Sequence, residues 1–346
     1  MTVELIELIA IQGVFRPRQR FIELAADHVP FDSLLGQQQF EALALQAVAN
    51  DEPVAIVGPR GAGKSSLIAH VCDNLPSGYI ALRVPVTGAD EPDNVSVVAA
   101  VALSQALSDL ELEREQSEAL SSARADQQSQ QRKPGGLRGG TLGGGPVPAT
   151  VHAELVTLQQ QLTTNRLASE RLAGLDRLIS ILVARGVQPL FVLEDTEAAI
   201  GGAERPELAA AFLAGPVRAF TTELQTPCIV AIQSVFTESS EFPQLAAGMR
   251  IVEIPILGDN IAHQALDAII VNRLEQHDAG SDPRAVIGDD VLEQLITFYD
   301  ETGRSLRFTL AALQAAAEYA AEMRAERIAA GHVRAAVIDW RGRIAM

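Results

Sequence analysis

GPRGAGKS, from Gly58 to Ser65, is the stretch of this 346-residue chain that decides its fold. An apolar run, Val54 to Val57, lies before it between Pro53 and Gly58 and predicts a buried strand. A helix is expected after it, from Gly63 to about Asn74. Glycines at 58, 61 and 63 let the backbone curl until successive N–H groups point at one anion. The helix that starts there adds the positive end of its dipole. Lys64 brings a compact charge to the β- and γ-phosphates of a nucleotide, and the Ser65 hydroxyl suits Mg²⁺. The chain has two lysines, Lys64 and Lys133, among many arginines, so a lysine here is a specific choice. Gly58, Pro59, Arg60, Gly61, Ala62, Gly63, Lys64, Ser65 and Ser66 are therefore the expected nucleotide-binding residues.

A phosphate loop of this kind needs an acidic partner on a neighbouring strand, to orient Mg²⁺ and a water. Within PLFVLED, Pro189 to Leu193 predicts a strand, and it alone ends in adjacent carboxylates, Glu194 and Asp195. Open α/β sheets bind ligands at such strand ends. One carboxylate would hold the metal's water shell and the other would polarise the attacking water. By order Mg²⁺ falls to Glu194 and the base role to Asp195, and both are metal and catalytic candidates with Ser65. PCIVAI, Pro227 to Ile232, predicts a fourth strand. It ends in Gln233 and Ser234, either of which can hydrogen-bond the γ-phosphate and the water.

Outward from these motifs, YIALRVPV (79–86) and RIVEIPI (250–256) read as further strands. Strands alternating with helices predict an α/β fold with a mostly parallel five-stranded sheet covered by helices. Residues 1–50 read as a helical segment, broken at Pro17 and Pro30, that leads into a core over 51–257. A long helix pattern begins after Asp93. Residues 122–148 are rich in Gln, Ser, Gly and Pro and read as a flexible insert. Leucine stripes follow at 155, 158 and 162 and, with Ile179, at 172, 175 and 182. They suit either packing on the core or a coiled seam. After Leu257 four helical patterns, near 259–275, 286–300, 305–327 and 330–340, predict a small all-α lid domain over 258–346.

The net charge of −17 weighs against nucleic acid as a partner unless cations gather on one face. Cys72 and Cys228 suggest neither a disulfide framework nor a zinc site. They read as small core residues. The six histidines show no metal-ligand spacing. No apolar run is long enough to span a membrane, and the N-terminus lacks a basic leader, so a cytoplasmic protein is expected.

With these motifs the chain resembles the AAA+ ATPases, in the branch of origin-recognition and STAND-like proteins. The likeness runs from about Val29 to Trp340, the insert excepted. The phosphate loop and FVLED carry it most strongly. Gln233–Ser234 looks like sensor 1, and GRSLR, Gly303 to Arg307, looks like sensor 2 at a lid-helix start. PFDSLLGQQQFEAL, Pro30 to Leu43, is similar to the segment that receives adenine, and RIAAGHVRAAVIDW to the closing lid helix. The resemblance implies an ATP site between core and lid. Arg307, with Arg304 as alternate, would meet the γ-phosphate. Arg250 stands where an arginine finger reaches a neighbouring subunit's ATP, which implies a homo-oligomer. The family's acidic pair is Asp-Glu or Asp-Asp, whereas here it is Glu-Asp, which implies slow turnover. Origin-recognition proteins carry a winged-helix DNA-binding domain after the lid, and this sequence ends at Met346. The first expectation is thus an ATP-driven switch or assembly factor acting on a protein partner. A nucleotide-binding structural subunit and a DNA-acting ATPase of replication or transposition are the alternatives.

Overall fold

A computed structural model describes residues 2–17, 21–85, 99, 103, 168–194, 206–277 and 286–344. Asp195, Lys133, the insert at 122–148, the stripe at 155, 158 and 162 and nearly all of the helix expected after Asp93 lie outside the described residues.

The elements run α1 (Thr2–Gln12), α2 (Phe21–Ala26), α3 (Phe31–Leu35), α4 (Glu41–Ala49), β1 (Val54–Gly58), α5 (Lys64–Asp73) and β2 (Tyr79–Pro85). After the insert come α6 (Ala168–Val183), β3 (Gln188–Glu194), α7 (Pro206–Phe212), β4 (Cys228–Gln233), α8 (Phe242–Ala246) and β5 (Arg250–Glu253). Four helices close the chain: α9 (Asp259–His277), α10 (Asp289–Glu301), α11 (Leu306–Glu322) and α12 (Ala330–Ile344). Behind α7 the helix widens into π-helical turns at Leu213–Val217 and Ala219–Glu223, around Pro216, which has no N–H to give a regular ladder.

The five strands form one sheet in the order β2-β3-β4-β1-β5, and every described pairing is parallel. Parallel strands are buried on both faces, and β1, β3 and β4 are apolar on both. The two-residue period divides them. Ala55, Val57, Phe191, Leu193 and Val230 face a cluster with Phe212, Phe220 and the helix α6. Val54, Ile56, Leu190, Val192 and Ile229 face the opposite cluster, with Leu67 and Ile68 of α5 and Phe40 beside α4. Leu175, Ile179 and Leu182 of the second leucine stripe pack in the first cluster, with Leu172 at its edge. That stripe is core packing.

A third cluster is built by α9 to α12, and the N-terminal segment joins it. Ile6, Ile9, Val14 and Phe15 are buried there among Leu313, Ala316, Ala317 and Ala320. Polar bonds fix the join. The Phe15 N–H donates to Gln314 Oε1 at 3.0 Å, Gln314 Nε2 donates to the Ala10 carbonyl at 3.2 Å, and Arg16 pairs with Glu318 at 3.0 Å. Helix α2 packs instead against α5, beside the phosphate loop. The first 35 residues therefore reach from the lid helices to the core, across the cavity described next. Cys228 is buried and Cys72 half-buried, and burial pushes both thiols up to about 12. Neither is a nucleophile at neutral pH.

Candidate nucleotide site

Between β1 and α5 the chain turns through Pro59 to Gly63, with Gly61 at φ 76° and Gly63 at φ 103°. Both angles favour glycine, and space demands it too. A Cβ on Gly61 would stand 2.2 Å from Ser305 Oγ, and one on Gly63 would stand 3.1 Å from the Phe31 ring. The lid and the N-terminal segment thus rest directly on the loop. Lys64 is buried, and its Nζ donates to the carbonyls of Gly58 at 3.0 Å and Pro59 at 2.9 Å.

One cavity of about 680 Å³ opens here, where the core, the lid and the N-terminal segment meet. Its loop side carries Arg60, Gly61, Gly63, Lys64, Ser65 and Ser66. Arg83 of β2 and Glu194 of β3 also line it, as does Arg307 from the first turn of α11. Its remaining wall is largely apolar, with Asp27, His28 and Arg273 among the apolar residues. Val29, Phe31 and Leu34 come from the N-terminal segment, and Ile269, Leu306 and Leu310 from the lid.

Glu194 is 3% exposed, and Arg83 Nε donates to its Oε1 at 2.5 Å. The pair arises from the sheet, since Arg83 and Glu194 project from adjacent strands two positions apart in register. An arginine inside the apolar run YIALRVP was a sequence signal for this partner. A second ion pair lies at the lid side, where buried Arg273 Nε stands 3.3 Å from Asp27 Oδ2. The Arg273 Nη1 also donates to the Arg16 carbonyl at 3.0 Å. Both residues line the cavity, and no sequence pattern joins positions 27 and 273.

Among the expected site residues, the fold brings the loop, Glu194 and Arg307 to one cavity. Gln233 is buried at the tip of β4, opposite Gly58 in register, and Ser234 begins a 3₁₀ turn; they stand beside the cavity without lining it. Arg304 sits at φ 64° and binds Asp300 at 2.9 Å and Asp259 at 3.2 Å, away from the cavity. Arg250 opens β5 opposite Val54, at the end of the sheet remote from the loop, and pairs with Glu52 at 2.9 Å.

The donor set fits a nucleoside triphosphate. The volume is in the range of small-ligand sites, with an apolar wall for a base and cations for phosphates. Ser305 is 3% exposed and lies against Gly61 without lining the cavity, and its Oγ has no hydrogen-bond partner among the described residues. Glu194 and the Ser65 hydroxyl line the same cavity and are groups that could hold Mg²⁺ there.

No protein-family model matches this chain, and no curated protein matches it. Solved structures do. The Aeropyrum pernix ORC1 protein in complex with DNA aligns with a TM-score of 0.54 at 17% identity, over 90% of this chain and 66% of that one. The Aeropyrum pernix ORC2 protein in its ADP form aligns with a TM-score of 0.53 at 15% identity, over 94% of this chain and 72% of that one. Parallel sheet, phosphate loop and helical lid together are the fold of the AAA+ P-loop ATPases. Within that class the fold is the one carried by the archaeal origin-recognition proteins. The chain spans about two thirds of the ORC1 protein's length.

Proposed function

We propose that this chain binds ATP with Mg²⁺, hydrolyses it slowly to ADP and phosphate, and uses the cycle as a switch or assembly device on a protein partner. One observation carries the reading: Lys64, Glu194 and Arg307, from the loop, the third strand and the lid, line a single cavity. The archaeal ORC2 neighbours were solved in an ADP form and in ADPNP–ADP complexes, which agrees with it.

Each residue has a task. The N–H groups of the loop and Lys64 hold the phosphates. Mg²⁺ bound at Ser65 and Glu194 would neutralise charge on them. Asp195 takes the attacking water's proton, and Gln233 or Ser234 orients that water. Arg83, bonded to Glu194, fixes the direction of that carboxylate. Arg307 reads the terminal phosphate and ties lid position to nucleotide state. Arg250, directed away from its own cavity, is the finger offered to a neighbouring copy. Glu194→Gln and Asp195→Asn should each keep ATP binding, measured by calorimetry, and lose phosphate release. Wild-type turnover in either variant removes that residue from the chemistry. No turnover in the wild type under any condition would favour a structural nucleotide-binding subunit.

A DNA-acting ATPase is the second reading, favoured by the ORC1 neighbour solved in complex with DNA. The net charge of −17 works against it. A salt-dependent DNA mobility shift, or turnover stimulated by DNA, would support it over the protein partner.

A further inference from the structure

At the wall of the cavity, which His28 and Ser66 both line, a polar chain runs from Ser66 at the end of the phosphate loop through His28 to the buried Glu41. His28 is 8% exposed and Glu41 5%. The His28 Nε2 lies 2.8 Å from Glu41 Oε1, and its Nδ1 lies 3.0 Å from the Ser66 hydroxyl. Glu41 also accepts from the N–H of Phe31 at 2.8 Å and of Asp32 at 2.9 Å. Burial works against its ionisation, yet the bonds from His28 and from these N–H groups outweigh it and hold its carboxyl below the usual range.

The protons have little freedom. An ionised Glu41 only accepts, so His28 Nε2 carries a hydrogen directed at it. The single Ser66 proton goes either to the Leu24 carbonyl, 3.3 Å away, or to His28 Nδ1. In both arrangements the ring keeps one orientation, pinned at its two nitrogens. The ring lies tilted against His70, with centroids 4.7 Å apart and planes at 37°, and against the Phe31 ring at 5.9 Å. Burial, and next the neighbouring His28, hold His70 below the ordinary histidine range.

The position of this chain matters more than its strength. Ser66 is in the first turn of the phosphate-loop helix. Phe31 and Asp32 begin α3, which supplies the apolar wall suited to a base. Two buried polar side chains and a half-buried hydroxyl are an expensive way to hold two helices that apolar side chains would hold as well. They do fix direction, through bonds with one geometry. We infer that His28 is a positioning residue: it locks the base-binding segment to the phosphate loop, so base and triphosphate are recognised as one object. The inference rests on the nucleotide reading above.

The test compares two probes on the full chain, ATP and inorganic tripolyphosphate, each with Mg²⁺, by calorimetry. Tripolyphosphate engages the loop and has no base. His28→Ala should weaken ATP about tenfold while tripolyphosphate stays within about twofold, so the preference for ATP narrows. A merely structural loss would weaken both probes alike, and that result overturns the inference, as does an unchanged ratio. Should His28→Ala fail to fold, Glu41→Gln weakens one link, at a residue that does not line the cavity, and leaves His28 on Ser66. A narrowing of about threefold is then expected, and none would overturn the inference. Wild-type protein that binds neither probe overturns the nucleotide reading itself. Wild type that binds ATP, with a His28→Ala ratio unchanged, overturns only the coupling.

Discussion

The wall that carries Lys64 and the wall that carries Arg307 face each other across one cavity, and they are built in different ways. The Lys64 wall is local. A strand, five loop residues and a helix set it, and the groups it presents are mostly backbone N–H. The Arg307 wall is assembled from α9, α11 and the segment from Asp27 to Leu34, brought together over more than two hundred positions. It depends on α1, whose Ile6 and Ile9, with Val14 and Phe15 just beyond, fill the lid's core. On the proposed reading, the local wall would hold the phosphates and the wall made by tertiary packing would carry the group that responds to them.

The largest effect should come from loosening the Arg307 wall. Phe15 is fully buried between the N-terminal segment and α11. Phe15→Ala should cost about 3–5 kcal/mol, as for other large aromatic truncations in cores. Thermal unfolding and proteolysis of the lid would report it, with tripolyphosphate binding by the remaining folded protein retained. A loss below about 1 kcal/mol would show that the segment does not hold the lid.

Lys64→Ala strikes the local wall. ATP affinity should fall about a hundredfold, equivalent to about 3 kcal/mol, with little change in melting temperature. Its Nζ bonds to Gly58 and Pro59 shape the loop, and their loss is small beside the missing charge. Tight ATP binding by this variant would remove the phosphate loop from the mechanism.

Arg307→Ala should have a smaller effect than either. The side chain is exposed at the cavity and makes no ion pair with any described residue, so stability should be unaffected. ATP should weaken about tenfold, or 1.4 kcal/mol, and ADP much less. Equal weakening of both would place the guanidinium elsewhere than at the terminal phosphate. The same experiment on Arg304→Ala should show no nucleotide effect, because that side chain is held by Asp300 and Asp259.

The two walls also differ in how far they were legible. All five strands were readable, since each is a short apolar run bounded by Pro, Gly or acidic residues. So was the loop, because its chemistry needs fixed spacing on contiguous chain. The four lid helices were visible as periodic patterns. What joins the lid to the rest was not. Asp27 with Arg273, Gln314 with Phe15 and His28 with Glu41 are polar pairs made by packing, and no period or motif links their positions. Helix α1 read as a prelude to the core because an apolar helix face does not name its partner. Arg83 and Ser305 meet neighbours that only the sheet register and the lid contact supply.

Arg250 gives the smallest expected effect within one molecule and the clearest view of how the two walls work between molecules. It opens β5 opposite Val54, whereas the loop leaves β1 after Gly58. Four residues along the strands separate them, roughly 13 Å at about 3.3 Å each. Its guanidinium lies on the surface with Glu52, both side chains more than a third exposed. Such a pair contributes about 0–1 kcal/mol, so Arg250→Ala should barely move the melting temperature and leave ATP affinity within about twofold. If it is the finger, the loss appears only when copies assemble. Turnover of the assembled variant should then fall well below wild type, as arginine fingers contribute mainly at the transition state. Mixing Arg250→Ala with Lys64→Ala should restore part of it, because some interfaces pair an intact loop from one variant with an intact arginine from the other. Light scattering should show larger particles with a slowly hydrolysed ATP analogue than without. A chain that remains monomeric with ATP at high concentration and still hydrolyses it would assign Arg250 to Glu52 alone. Both walls of the cavity would then work without a neighbour.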